Sequence, residues 1–498
     1  MNTNAGSDPL AMPTQVAGEV RQRAAEGALL VGIRGIAARA AGLLGSVVLA
    51  RTLSSSEFGL FAFGALLMTS VSYLTQAGVG AGLIRKDSPP SRAELSVVVA
   101  VNLGLVAVIT LAAAACAPLL GPEGLVVAAM TAPLLLTAFR APGLIGLERE
   151  LLYRPIAKVE IAETVSFYLV AVVAVVIVGI WGLVVAAFLR CALGTAIMLS
   201  SGPYGLIAPR LSRRTLRPLL GFGARFQGVA LANFCRDQGV LVGISAVAGL
   251  PTLGVYTVAS RLLQIPQLLF ESLFRVSFPA MTRLIATGDH ARRLIERGIR
   301  LVGLGAGLTL VPLVAVAPAA VPVLFGPQWQ SAATIIPCAG LGLMIGGPVA
   351  VATAGYLYAI GDAGTVLRSA VLHALAWFIV ALPLYPLLGV FSLGLGILAS
   401  SGVEAAMLGT QAARRSGASI VRPLLPSLVA SVVSAVPVLV VVSASSHTVI
   451  VIVIGAISAE AIYLGFLRFA DAATVRDLGG LIRASVRQPR LDIAGGSG

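Results

Sequence analysis

Residues 167–201 read FYLVAVVAVVIVGIWGLVVAAFLRCALGTAIMLSS, two apolar stretches that meet at Trp181 and carry one charge, Arg190. Because about 20 apolar residues span the hydrocarbon core of a bilayer, this run is long enough to cross a membrane twice. Three bases lie upstream in residues 149–158 and four arginines follow in residues 210–217, whereas the gap at Trp181 contains none. Loops rich in Lys and Arg stay on the cytoplasmic side. The run therefore predicts a pair of membrane helices that leaves the cytoplasmic face and returns to it.

The same alternation continues through the whole chain. We predict membrane helices rather than a barrel, because a spanning segment must satisfy its own backbone hydrogen bonds and no barrel-like polar alternation occurs. Outside the apolar stretches, bases lie in every second gap and in the tails, and the other gaps contain a single base, Arg51. This asymmetry predicts a multi-pass protein of the cytoplasmic (inner) membrane with both termini cytoplasmic. The fourteen predicted spans are 28–50, 57–84, 94–117, 124–147, 157–179, 181–201, 218–248, 252–284, 298–324, 331–358, 364–388, 392–413, 423–443 and 447–468.

Composition excludes several classes of protein. With 57% hydrophobic and 11% charged residues among 498, the chain is not a soluble globular protein. Its net charge of +14 is spread along one membrane face, which favours contact with anionic membrane lipids over binding of nucleic acid. The four cysteines show no CxxC spacing and the three histidines are scattered, so no metal site or other cofactor is predicted. Neither lysine, Lys86 or Lys158, follows a glycine, which excludes a Walker A sequence and hence ATP use by this chain.

An internal repeat divides the chain into two halves. Residues 50–61 (ARTLSSSEFGLF) and 245–256 (SAVAGLPTLGVY) each combine a short turn with an apolar-Gly-apolar-aromatic helix start, 195 positions apart. Since six predicted spans separate the two points, the halves have the same orientation, as in transporters built from two parallel lobes. The predicted parts are a cytoplasmic tail (1–27), an N-lobe (28–201), a basic linker (202–217), a C-lobe (218–413), two additional helices (423–468) and a cytoplasmic tail (469–498).

Specific motifs in these halves resemble those of bacterial polysaccharide flippases. The second half carries DQGVLVG at 237–243, AGLPTLGVYTVASR at 248–261, Pro266 and RVSFPA at 275–280. The first half carries the matching LARTL at 49–53, EFGLF at 57–61 and QAGVG at 76–80. The superfamily also contains multidrug antiporters and lipid II flippases. The resemblance implies an all-α polytopic fold with two six-helix lobes related by a pseudo-two-fold axis, a central cavity and two extra C-terminal helices.

The resemblance also implies the cargo and the partners. Such proteins pass undecaprenyl-diphosphate-linked oligosaccharide to the outer leaflet for cell-surface polysaccharide synthesis, beside a polysaccharide polymerase and export machinery. Charges inside spans are the residues to explain, because an Arg at mid-membrane costs about 2.5–3.5 kcal/mol on insertion scales. Guanidinium groups bind phosphate oxygens bidentately. The predicted cavity-lining, substrate-binding residues are Arg34, Arg39, Arg190, Arg236, Arg261 and Arg275, and the predicted coupling or gating acids are Asp237, Glu271 and Glu404.

Several alternatives stay open at this point. Arg34, Arg51, Arg140 and Arg225 lie near predicted membrane edges, where an Arg can extend its head to the lipid headgroups. A proton or sodium gradient is one candidate energy source, with Asp237, Glu404 and Glu460 as candidate ligands, and the sequence does not decide between sources. The short outer gaps offer few catalytic side chains, so the chain is predicted not to be an enzyme. Within the superfamily, lipid II or another lipid-linked precursor, or a cationic drug, remains an alternative cargo.

Overall fold

The computed structural model describes residues 39–77, 83, 88–121, 124–150, 152–216, 228–286 and 291–471, and within these ranges the regular structure is helical. Most of both predicted tails, Arg34 and Arg225 lie outside the described residues. The helices are α1 (residues 39–52), α2 (Ser55–Ala77), α3 (Arg92–Cys116), α4 (Leu125–Arg149, interrupted), α5 (Tyr153–Val178), α6 (Gly182–Ser201), α7 (Gly228–Ala286, kinked), α8 (Ala291–Phe325), α9 (Ile335–Ala359), α10 (Ala363–Leu388), α11 (Phe391–Ser416), α12 (Val421–Ser443) and α13 (Val449–Ala470). Short 3₁₀ turns occupy Ala117–Leu120, Ala138–Arg140, Gly179–Trp181 and Pro327–Thr334.

Membrane-length helices dominate the described part of the chain. Eleven segments in it are long and apolar enough to cross a bilayer. Two of them, Tyr153–Ser201 and Asp237–Arg275, contain a glycine at positive φ, Gly179 (61°) and Gly249 (80°), a conformation that a Cβ disfavours. Each long segment is therefore broken into two helices at its glycine. The prediction of an all-α polytopic membrane protein is confirmed, whereas the number of fourteen spans and the symmetry of the halves stay predictions.

The chain divides into two compact units, Met1–Leu231 and Ala232–Gly498. In unit 1, α5 and α6 pair closely because Gly182 has no Cβ where one would overlap the backbone of Ala174. The helix α4 is interrupted around Pro133 and again by the 3₁₀ turn that ends at Arg140, just before Pro142. A proline lacks the N–H of a regular helix. These interruptions set the position of Arg140 in unit 1.

Glycines also set the helix spacing in unit 2. A Cβ on Gly342 of α9 would lie 2.8 Å from the Cα of Leu398, and one on Gly394 of α11 would lie 2.6 Å from the carbonyl oxygen of Ile335. Such contacts allow the backbones of two membrane helices to approach closely. At one end of α10 and α11, Asp362 accepts hydrogen bonds from Thr365 and pairs with Arg415 at 2.9 Å. The hydrogen bonds from Thr365, aided by Arg415, lower the pKa of the Asp362 carboxyl below its ordinary value.

Candidate functional site

Three charged side chains meet inside unit 1. Arg140 at the end of the 3₁₀ turn in α4 donates a hydrogen bond from Nη1 to Oε1 of Glu163 on α5. Arg190 on α6 brings its Nε to 3.9 Å from Oε2 of the same carboxylate, and its Cζ lies 5.9 Å from the centroid of the Phe167 ring. The Glu163 side chain is only 7% exposed. One buried carboxylate therefore compensates two guanidinium groups within membrane-length helices, an arrangement that we call the unit 1 triad.

A polar cavity of about 240 Å³ lies beside the triad. Arg140 and Glu163 line it together with Glu148 and Glu160, so its ionisable lining consists of three acids and one base. The neutral polar residues in its wall are Ser72, Thr75, Asn102 and Thr137. The lining of this cavity therefore contains more carboxylates than bases. Its charge suits water or a cationic group better than a phosphate.

A second ionisable pair lies in unit 2, on two helices packed side by side. Nδ1 of His373 on α10 is 2.9 Å from Oε2 of Glu404 on α11. Both side chains are about four-fifths buried, with 23% and 21% exposed. His373 lies about 15 Å from the start of α10 at 1.5 Å per residue, and Glu404 lies about 20 Å from the start of α11. The pair is therefore near the middle of both helices.

The other predicted site residues belong neither to the unit 1 triad nor to the pair of His373 and Glu404. Arg39 is half-buried at the start of α1, and Asp237, Glu271 and Arg275 are exposed along α7. The position of Arg236 is helical in α7, but its side chain lies outside the described residues. Arg261, also on α7, is half-buried, and its Nε is buried without a hydrogen-bond partner in the described part of the protein. Of the predicted residues, Arg190 belongs to the unit 1 triad and Glu404 pairs with His373.

Comparison with known proteins identifies a family that matches this chain. The model of a family described as "Polysaccharide biosynthesis protein" matches residues 48–334, more than half of the chain. The chain belongs to this polysaccharide biosynthesis family. The matched range begins in α1 and ends with the turn Pro327–Thr334, so it contains the unit 1 triad and Arg261 but not His373 or Glu404. The resemblance to polysaccharide flippases is confirmed at the level of the family.

Two individual proteins with sequences similar to this chain have names that refer to polysaccharide biosynthesis. The chain is 30% identical over 353 residues to the succinoglycan biosynthesis transport protein ExoT of Rhizobium meliloti (strain 1021), covering 66% of this chain and 68% of that protein. It is 24% identical over 346 residues to the lipopolysaccharide biosynthesis protein WzxC of Escherichia coli (strain K12), with the same two coverages.

Solved structures share the fold at low sequence identity. The inward closed conformation of the lipid II flippase MurJ has a TM-score of 0.68 at 13% identity and covers 90% of this chain and 99% of its own. An inward-facing multidrug resistance transporter of the MATE family has a TM-score of 0.51 at 14% identity, covering 76% and 94%. This family member therefore has the fold of those membrane transporters.

Three residues in these ion pairs were not identified from the sequence. Glu163 was not singled out, and Arg140 was interpreted as an edge residue that extends toward headgroups, whereas it pairs with Glu163 inside unit 1. The charge of Glu163 could have identified it from the sequence, because an acid within an otherwise apolar span requires a base nearby. His373 was set aside as one of three scattered histidines, although it lies in the helix next to Glu404. All three residues depend on contacts between helices.

Gly194 on α6 makes room for the triad, because a Cβ at this position would overlap Oε1 of Glu163. We expect Gly194→Ala to displace the carboxylate and to lower stability by about 1–3 kcal/mol, the usual cost of leaving a buried group poorly paired. The measurement is the thermal unfolding midpoint of the purified protein in detergent. Gly104→Ala in α3 is the matched control, because a Cβ there meets no atom within 4 Å. Equal midpoints for the two variants would contradict the packing argument.

Proposed function

We propose that this protein is a flippase that moves polyprenyl-diphosphate-linked oligosaccharide across the cytoplasmic membrane for cell-surface polysaccharide synthesis. In this proposal the chain has fourteen membrane helices, forming two six-helix lobes and an additional pair, with both termini in the cytoplasm. It works as a transporter and not as an enzyme, by alternating access through an arginine-lined cavity. The polyprenyl carrier is undecaprenyl, and a polysaccharide polymerase and export machinery act next on the cargo.

Family membership supports the biosynthetic setting of the proposal. The names of ExoT and WzxC refer to transport or synthesis of succinoglycan and lipopolysaccharide, which are surface glycans. The cargo chemistry follows from the requirement that a sugar be carried past a hydrocarbon layer on a lipid. A diphosphate linker carries negative charge, and moving it through a medium of low dielectric constant needs compensating positive charge.

The observation that carries the proposal is Arg261. Its guanidinium lies on a membrane-length segment, Asp237–Arg275, and its buried Nε has no hydrogen-bond partner in the described residues. A buried donor without a partner is unfavourable unless a ligand fills the position in the working cycle. A guanidinium group binds phosphate oxygens in a planar fork. We assign Arg261 to the diphosphate, with Arg39, Arg236 and Arg275 as further cavity-lining candidates.

The test is translocation of a fluorescent lipid-linked oligosaccharide by the full chain in reconstituted vesicles. Arg261→Ala is expected to lower the translocation rate about tenfold or more, since a hydrogen bond to a charged group contributes about 1.5–3 kcal/mol. Arg261→Lys keeps the charge without the planar fork and is expected to fall between alanine and wild type. Arg292→Ala is the matched control, because Arg292 is exposed and pairs with Glu296 on the surface of α8. A wild-type rate in Arg261→Ala would remove this residue from the cargo site.

The acid-rich cavity of unit 1 favours a second candidate function, the export of cationic compounds. A lining with three carboxylates and one guanidinium would favour a cation over a phosphate. Vesicles that contain wild-type protein and accumulate a fluorescent organic cation, but do not move the lipid-linked oligosaccharide, would select this alternative. The first proposal expects the opposite pattern.

A further inference from the structure

We propose that His373 and Glu404 form an intramembrane proton-binding site that couples a transmembrane pH gradient to the conformational cycle. The inference rests on the proposed function, because a proton gradient can be coupled to this protein only if the protein transports a cargo. The pair joins α10 and α11 through a hydrogen bond of 2.9 Å between Nδ1 and Oε2. It lies near the middle of both helices and is partly, not fully, buried.

The hydrogen bond decides which atom exchanges the proton. With Nδ1 directed at Glu404, a neutral imidazole keeps its hydrogen on Nδ1 and leaves Nε2 as the acceptor. In that state the pair has a net charge of −1. A hydronium ion that donates its proton to Nε2 leaves water and an imidazolium–carboxylate pair of net charge zero. Return of the proton from Nε2 to water on the other side of the membrane completes the cycle.

Bilayer electrostatics connect this charge change to conformation. An uncompensated charge at the bilayer centre is unfavourable, so the deprotonated pair favours a conformation in which water reaches it. The protonated pair is neutral overall and tolerates a closed, dry conformation. Proton binding therefore biases the equilibrium between two conformations, which is the requirement for coupling an ion gradient to transport. A permanently charged residue such as Arg could not act in this way.

The helices α9 and α7 pack against α11 and α10 with stretches that contain no ionisable side chain. The helix α9 meets α11 where Gly346 packs on Ser401, and the following residues 347–355 of α9 contain no ionisable side chain. The helix α7 packs on α10 through Gly239 and Gly243 against Phe378, and residues 238–255 also contain none. Beyond these stretches, the next ionisable residues along the four helices are Arg236, Asp237 and Tyr256 on α7, Cys338, Tyr356 and Tyr358 on α9, Arg368 and Tyr385 on α10, and Arg414 and Arg415 on α11.

Several of these groups are already engaged elsewhere. The Tyr385 hydroxyl is hydrogen-bonded to Thr252, and Arg415 is paired with Asp362 at the end of the helices. Arg368 precedes His373 by five residues, so it lies about 140° around α10. Tyr385 and Arg415 thus have partners other than His373 and Glu404.

The chemistry also selects a proton over a sodium ion. Sodium prefers several oxygen ligands, whereas one partner here is an imidazole nitrogen. In addition, the residues that the structure describes contain no group of three or more His, Cys, Asp or Glu side chains able to hold a metal ion. A sodium gradient that drives the protein while a pH gradient does not would overturn the assignment.

The first experiment measures gradient coupling with the reconstituted full chain and the fluorescent lipid-linked oligosaccharide as probe. For one coupled proton, a gradient of one pH unit is expected to change the steady-state accumulation ratio of the wild type about tenfold. His373→Gln removes the nitrogen that exchanges the proton, and Glu404→Gln removes the carboxylate that makes the protonated pair neutral, so the ratios of both variants are expected to be independent of the gradient. His447→Gln, at an exposed position, is the matched control and should respond like the wild type. A wild-type response in Glu404→Gln would overturn the proposal.

The second experiment does not depend on the cargo. Trp377 follows His373 by four residues on the same face of α10, and its side chain is 2% exposed. An imidazolium quenches indole fluorescence more strongly than a neutral imidazole does. We expect a pH-dependent fluorescence step in the wild type and in His447→Gln that is lost in His373→Gln. Absence of the step in the wild type would overturn the proton site. If instead the step is present but no oligosaccharide moves, the proposed function fails and the site stands.

Discussion

Glu163→Ala is expected to destabilise the protein by about 3–5 kcal/mol, the cost of removing one partner from a buried ion pair. The substitution leaves Arg140 and Arg190 without their shared carboxylate inside a membrane-length bundle. At roughly 2–4 °C per kcal/mol for a unit of this size, the thermal unfolding midpoint in detergent should fall by about 10 °C. The yield of folded protein from the membrane should fall with it, because helices that carry two unpaired guanidiniums insert and pack less well.

Glu150→Ala provides the matched control for this prediction. Glu150 is an exposed acid directly after α4 in the same unit, and its loss should change stability by no more than about 0.5 kcal/mol. Arg140→Met combined with Glu163→Met separates charge from packing, since replacing a buried pair by apolar side chains is often neutral. If Glu163→Ala unfolds at the same temperature as Glu150→Ala, the carboxylate does not hold the triad together.

Features that depend on local sequence were predictable. The span expected at 364–388 is α10, Ala363–Leu388, and the span expected at 423–443 is α12, Val421–Ser443. The gap between the predicted spans ending at 248 and starting at 252 contains Gly249, where φ is 80°. Apolar length and turn residues decide such boundaries within a window of about 20 residues, so the sequence alone contains the necessary information.

Contacts between helices were not predictable in the same way. The Arg140–Glu163 contact joins residues 23 positions apart, and the position of Arg140 depends on interruptions in α4 that the sequence placed inside one continuous span, 124–147. Hydropathy identifies a charge within a span but not the helix face or the neighbour that will compensate it. The carboxylate-rich cavity has the same origin, because Glu148, Glu160 and Glu163 converge only through the packing of α4 on α5.

Glu460 carries a buried carboxyl group in α13, the second of the two helices predicted as an addition at residues 423–468. Both of its oxygens are buried in α13, and neither has a hydrogen-bond partner among the residues described. Three residues later Tyr463 is fully buried and donates its hydroxyl to the carbonyl oxygen of Leu304 on α8 at 3.1 Å. The interface between α8 and α13 is therefore well packed and hydrogen-bonded at Tyr463 but leaves the Glu460 carboxyl unsatisfied, which is unfavourable in an apolar environment.

Glu460→Leu is accordingly expected to stabilise the protein by about 1–3 kcal/mol, the range measured for unsatisfied buried polar groups. The measurement is the unfolding midpoint in detergent, compared with Glu460→Gln, which keeps an unsatisfied polar group and should gain little. A lower midpoint for Glu460→Leu than for the wild type would mean that the carboxyl has a stabilising partner. If the midpoint rises while translocation of the lipid-linked oligosaccharide falls, the carboxyl is kept for transport at the expense of stability, as functional groups in proteins often are.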